Sequence, residues 1–301
     1  MRVFGLFVLC TAASLQAAVS GDSQIRAKAG PSEIVITTTS RLAGAIHSLT
    51  WKGREFIDST DHGRQLQSAS NFDVNSQFIP ETFNPTEAGS RIDGVGPNST
   101  SVLHALTAKG NVLSTENQMA FWLQPGEKSF GNLAKNTTAL SNHHLKKRVT
   151  IGVHGLPHAI GYDVTFTVPK REHHRYAQFE AVTGYMPPAF SNFWTYDLTK
   201  KKLMSLSDGP GEQSLPVIFS TMDRQHAMGV WSPGQPSKGF GRAGYGRFRF
   251  ETEKVVKWNC VFRETNPNRL SAGNYSYRSY VLVGSLKNVT ETMNALHRRY
   301  F

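Results

Sequence analysis

Cysteine is almost missing from this chain, with 2 in 301 residues. Cys10 lies in the apolar start, and Cys260 stands alone in "KWNCVF". A disulfide framework is excluded, and Cys260 reads as a buried thiol with no nucleophilic role. No cysteine cluster and no HExxH pair is present, so no metal motif is read and no cofactor is expected. The glycine-rich "GFGRAGYGRFRF" lacks the Gly-Lys-Ser/Thr of a phosphate loop. After the start, no run is apolar for the roughly eighteen residues a membrane span needs. Acids are also scarce, 22 against 33 Lys and Arg. That weakens glycoside hydrolysis, which requires two carboxylates in one pocket. Helical periodicity is nearly absent as well.

What is present begins with a leader. Arg2, the apolar run Val3 to Leu9 and the small residues of "SLQAAVSGD" read as an export signal over residues 1–20, cut after Ser20 or Ala17. The remaining 21–301 read as one domain of a secreted or periplasmic protein. Formal net charge is +11, and the leader carries only Arg2 of it. Such a field favours polyanions, and for an exported protein an acidic polysaccharide is the natural partner. It also serves as plain solubility charge. Nucleic acid is not expected, because the basic residues are dispersed and form no helical basic region.

Short β-rich runs punctuated by glycine fill the chain. "HSLTWKGREFI" reads as two strands around a Lys52-Gly53 turn. In "YDVTFTVP", Val164, Phe166 and Val168 alternate with threonines, as on a half-buried strand. "YSYRSYVLV" puts Tyr275, Tyr277 and Val281 on one face. One helix is expected, in "NVTETMNALHRRYF". Asn288 is its cap, Glu291 completes a capping box, and Val289, Met293 and Leu296 form the apolar stripe. The chain is therefore all-β, a large sandwich or barrel with a short C-terminal helix.

Polar groups concentrate between His62 and Arg91. In "HGRQLQ", Gln65 and Gln67 share one strand face, with Arg64 on the other. Two amides beside His62 suit paired hydrogen bonds to hydroxyls, or belong to an edge strand facing water. In "FNPTEAGSR", Asn84-Pro85 opens a turn that mounts Glu87, flanked by Asn84 and Arg91. Glu87 faces a ligand there, or pairs with Arg91 or Arg64. "SNHHLKK" reads as a basic, polar loop carrying His143-His144, and "KREHHRY" carries His173-His174; on a strand, adjacent histidines would point to opposite faces. "YMPPAFSNFWTYD" supplies Tyr185 and Trp194, a stacking surface for sugar rings or simply core. Arg242 and Tyr245 sit in the glycine-rich hairpin, where arginines can meet an acidic ligand.

"LAGAIHSLTWKGREFID", "DHGRQLQ" and "NPTEAGS" together resemble the N-terminal part of galactose-mutarotase-like proteins, the superfamily of the aldose 1-epimerases. The resemblance covers Leu42 to Arg91. It implies a large antiparallel β-supersandwich and a carbohydrate ligand. Of the epimerase pattern NHxYFNL only Asn142-His143 stands here.

Three functions follow as expectations. The first is a lyase cleaving a uronate-containing polysaccharide by β-elimination. It needs a group to neutralise the carboxylate (Arg64, Arg91, Asn84 or Gln67), a base (His62 or His143) and an acid (Tyr185 or Tyr245). The second is a mutarotase or epimerase using Glu87 with His143. The third is a non-catalytic carbohydrate-binding protein, in which Gln65, Gln67, Trp194 and Arg242 only hold the glycan. Convergence of His62, Glu87 and His143 in one concavity favours catalysis; polar groups lining an open face favour binding.

Overall fold

The computed structural model describes residues 19–234 and 242–301. The apolar start of the expected leader, with Cys10, lies outside them. Among the described residues nineteen strands join in one hydrogen-bonded ladder of antiparallel pairs, and a two-stranded hairpin stands apart. The ladder folds back on itself into two facing layers. One layer contains the strands Gly244–Phe250, Val255–Thr265, Tyr176–Met186, Leu66–Phe72 and Pro85–Thr86 in spatial order. It continues through Val112–Phe121 into Leu140–Ile151, Ala159–Val168, Gly273–Gly284 and Ala227–Trp231, which form the second layer.

Alternation explains the layering. On Ala159–Val168 the apolar side chains Val164, Phe166 and Val168 are buried and the threonines between them only partly covered. Phe166 meets Phe179 of the opposite layer at 5.0 Å, and Phe179 meets Tyr277 at 5.3 Å. Tyr275, Tyr277 and Val281 do share the core, and Cys260 is buried there with its thiol pushed up to about 12 by burial.

The helix Leu286–Tyr300 starts three residues earlier than the sequence signal suggested. Ser285 is the N-cap: its hydroxyl accepts from the Asn288 N–H, and the Asn288 side chain returns to the Ser285 N–H. Asn288 is thus the third residue of the box. The apolar stripe of Val289, Met293 and Leu296 packs under Ile218, Tyr280 and Leu282. Among the described residues no helix is long and apolar enough to cross a membrane.

Candidate functional site

A cleft of about 540 Å³ opens on the face of the first layer turned away from the core. Its floor is written by strand parity. On Leu66–Phe72, residues Gln67, Ala69 and Asn71 point into it, while Leu66, Ser68, Ser70 and Phe72 are buried beneath. On the neighbouring Tyr176–Met186 strand the parity changes midway. Gln178 and Glu180 face the cleft, then Thr183 and Tyr185. The register with both neighbouring strands shifts after Glu180. This β-bulge inserts one residue and re-aims the rest of the strand. Without it Thr183 and Tyr185 would point into the core.

Lys257 stands directly across from Tyr185 on the strand Val255–Thr265. Its ammonium is 3.3 Å from the Glu180 carboxylate and 5.2 Å from the centre of the Tyr185 ring. Burial alone would raise the Glu180 carboxyl. The Lys257 charge and hydrogen bonds from Thr183, Lys257 and Asn259 outweigh it and hold the group below the usual carboxylate range. Burial pulls Lys257 down, but Glu180 and Tyr185 more than restore it, and its ammonium is held above the ordinary value. Burial lifts the Tyr185 phenol. All three groups are thereby fixed in their usual charge states near neutrality.

Aromatic groups wall the cleft. Trp122 leans over Gly63, where a Cβ would stand 2.7 Å from the indole ring; only glycine admits the ring so close. Phe248 and Phe250 form the opposite wall, stacked 6.1 Å apart. A hairpin, Lys128–Ser129 paired with Asn132–Leu133, overhangs the end. Its turn residues Phe130 and Gly131 have φ of 46° and 79°, as a tight turn of this hand requires. Phe130 is 93% exposed and still borders the cleft. The hairpin is moored at its base: the Ser129 hydroxyl bonds Glu81, and Arg91 bridges Glu127 at 2.8 Å and donates to the Lys128 carbonyl.

The residues singled out in the sequence distribute unevenly. Gln67, Asn84 and Tyr185 line the cleft. Gln67 is held by the Gly63 carbonyl and the Ala88 N–H, which leaves its second N–H for a ligand. Gln65 does not join it. It is fully buried and donates to the Asp61 carbonyl, because it precedes the strand whose alternation would have paired the two amides. Arg64 is tied to Asp61 at 3.0 Å, and Arg91 serves the hairpin, not the cleft.

His62, Glu87 and His143 do not converge. His62 is 1% exposed, and both ring nitrogens are spent at 2.8 Å on the carbonyls of Gly94 and Arg41, so it stitches two turns together. Glu87 lies in the core between the layers. It pairs with Lys147, both side chains being fully buried, and accepts from the Ser68 N–H at 3.0 Å. Neither Arg91 nor Arg64 is its partner. The reason is parity again: Thr86 faces the cleft, so Glu87 must face the core. "SNHHLKK" is not a loop: it is part of the strand Leu140–Ile151, paired on both sides, with His143 turned inward and His144 outward.

Trp194 lies elsewhere, donating to Ser220 at 3.0 Å under the Arg224 guanidinium. Arg242 and Tyr245 border a separate depression with Trp231 and His297. Tyr245 is buried, and its hydroxyl accepts from the Ser232 N–H. The hairpin arginines do not meet the cleft either. Arg247 and Arg249 are bonded to Ser207, Asp208 and Ser191, and the alternating Phe248 and Phe250 face the cleft.

Sequence reasoning passed over Glu180, Lys257, Trp122 and Phe130. Lys257 had a signal: it is the one charge between Val255 and Asn259 in an apolar strand. Phe130 had none beyond an aromatic next to glycine.

No protein-family model matches the chain, and no curated protein matches its sequence. Several solved structures align with most of it. A structural-genomics protein from Synechocystis sp. PCC 6803 aligns over 92% of this chain and 100% of its own, at 9% identity and TM-score 0.45. A mutant heparan sulfate lyase from Pedobacter heparinus aligns over 88% of this chain at 10% identity and TM-score 0.44, and this chain spans 35% of that protein. A protein from Klebsiella pneumoniae provisionally assigned as an aldose 1-epimerase aligns over 93% of this chain and 92% of its own, at 8% identity and TM-score 0.41. No residue role passes to this chain from likenesses this distant.

Proposed function

We propose that this chain is a carbohydrate-binding protein whose ligand lies in the cleft between Trp122, Phe130 and Phe248. One observation carries the reading: amides and hydroxyls form a fixed polar floor, and aromatic faces wall it. Sugars present hydroxyls around an apolar C–H face, so this combination suits them. Gln67, Asn71, Asn84, Gln178 and Thr183 are donors and acceptors without net charge. Phe130 supports the reading further. A large apolar side chain exposed at a positive φ incurs both hydration and backbone cost, and such positions cluster at ligand sites.

Binding is favoured over catalysis by the electrostatics. A general acid or base works best with a pKa near the operating pH. Here Glu180 is shifted down and Tyr185 up, both away from neutrality. Among the described residues the lining holds one cation, Lys257, against two carboxylates, Glu81 and Glu180. A neutral saccharide fits this balance better than a polyuronate does.

The second reading is β-elimination on an acidic glycan, supported by the overall charge of +11 and by the contact of Lys257 with Tyr185. Lys257 would neutralise the uronate, the Glu180 carboxylate would take the α-proton, and Tyr185 would protonate the leaving oxygen as the double bond forms.

Calorimetric titration with neutral and uronate oligosaccharides, run beside ultraviolet absorbance, separates the two. The expected result is binding of a neutral glycan, weakened about tenfold by Phe130→Ala, with flat absorbance throughout. A rising signal on one uronate polymer, lost in Tyr185→Phe, would replace binding with lyase activity.

A further inference from the structure

His143, Glu172 and His174 bring three ligand atoms within 4.8 Å of one another. The histidines come from separate elements. His143 is on the inward face of Leu140–Ile151, and His174 is in the loop after Ala159–Val168, two residues beyond Glu172. Both imidazoles present Nε2 to the same carboxylate oxygen, Glu172 Oε2, at 2.6 Å from His143 and 3.0 Å from His174.

We propose that these three side chains form a zinc-class metal site, independent of the glycan cleft. His174 has the tautomer such a site requires. Its Nδ1 is 2.6 Å from the Asp73 carbonyl oxygen, which can only accept, so Nδ1 carries the hydrogen, and in the neutral ring Nε2 is the nitrogen that offers its lone pair. That lone pair then faces a carboxylate oxygen, itself an acceptor, so the contact is bridged either by a second proton on the ring or by a cation, and the cation is the proposal. The rings are also held in place before any ion arrives. Phe72 packs against His143 at 4.7 Å and His174 at 4.6 Å, and Phe83 covers both from the side. Two buried imidazoles and one carboxylate favour zinc or a similar transition ion over calcium or magnesium, which take oxygen ligands.

The fit needs a small adjustment. Ligands at the usual zinc distances stand roughly 3.4 Å apart around a tetrahedral ion. Glu172 must therefore withdraw by less than about 1 Å from His143. It can do so, since it lies on a loop and its side chain is 21% exposed while both histidines are nearly closed off. Three protein ligands leave a fourth position for water on that open side. A bound ion would fasten the 169–175 loop to the Leu140–Ile151 strand across the end of the sandwich.

The test is cobalt(II) titration of the full chain after chelator treatment, followed by visible absorption and by competition with zinc. The expected result is one ion per chain, with the intense visible bands of tetrahedral cobalt, displaced by zinc. Glu172→Gln should weaken binding at least about tenfold, and His174→Ala should abolish the bands. His144→Ala should change neither, since His144 faces outward beside His104 at 5.6 Å. Absence of tetrahedral bands in the unsubstituted protein would overturn the proposal, whether or not the variants fold, and would leave a cluster held by protons alone. Binding that survives Glu172→Gln and vanishes in His144→Ala would overturn it as well, by moving the ion to the surface pair.

Discussion

Two ion pairs on opposite faces of one layer, one sealed and one bordering the cleft, have opposite meanings at the level of single residues. Glu87 and Lys147 are sealed in the core, with Ser68 and Tyr162 as polar neighbours. Removing one partner strands a buried charge. Lys147→Met should therefore cost about 3–5 kcal/mol in chemical denaturation, and Glu87→Met combined with it should recover most of the loss. Sugar affinity of the folded fraction should not change, because neither carboxylate nor ammonium reaches the cleft. Glu180 and Lys257 border the ligand space and should affect both stability and binding. Because the folded Glu180 carboxyl sits below its unfolded value, the pair's contribution is complete above the ordinary 4.5 and is lost as pH falls through the lower folded value. The folded Lys257 ammonium is raised, so on the alkaline side the contribution persists past its ordinary 10.5 and is lost only above that. Urea denaturation against pH should show a steeper acid limb for the native protein than for the Glu180→Gln, Lys257→Met double variant. Parallel limbs would mean that the pair contributes nothing.

At the element scale, the bulge after Glu180 decides what the cleft contains. Its neighbours read plainly in the sequence: Val164, Phe166 and Val168 alternate as a half-buried strand should, and Val289, Met293 and Leu296 mark the helix stripe. A bulge leaves no comparable trace, since it needs no particular residue in "FEAVTGY" and only shifts parity. That is why Tyr185 could be chosen without its partners Glu180 and Lys257. Glu87 failed for the same reason in reverse. A turn residue looks available from composition alone, but the two-residue strand Pro85–Thr86 turns it into the core. His62 and His143 were conspicuous for their chemistry, and burial between backbone carbonyls and aromatic rings cannot be read from local sequence. The helix supplies an independent check on its reassigned cap. Ser285→Ala should lower stability by about 1 kcal/mol, whereas Glu291→Ala, which removes the residue the sequence signal relied on, should be nearly silent in thermal denaturation. The hairpin bearing Phe130 should behave as a separable unit: Arg91→Ala, which frees Glu127, should weaken glycan binding a few-fold while leaving the melting temperature of the sandwich unchanged within about 1 °C.

For the molecule as a whole, the charge surplus and the cleft make different statements. The surplus of 33 basic over 22 acidic residues was the main sequence argument for an acidic glycan. Among the described residues lining the cleft the balance is reversed, with Glu81 and Glu180 against Lys257. Dispersed surface charge speeds encounter and keeps a protein soluble, but the groups within contact distance set selectivity. The antiparallel sandwich was legible from strand spacing and from the short stretch resembling galactose-mutarotase-like proteins. The location of the cleft was not, because it depends on which face of five strands meets the core. Trp122 provides the most direct measurement, since it lines that cleft and its fluorescence should respond to a ligand stacked nearby. Titration with a panel of neutral oligosaccharides should give a saturable change with one of them, retained in Lys147→Met/Glu87→Met and weakened about tenfold in Phe130→Ala. A response that is absent for every neutral glycan, or that persists undiminished in Phe130→Ala together with Gln67→Ala, would contradict the assignment of this cleft as a saccharide site.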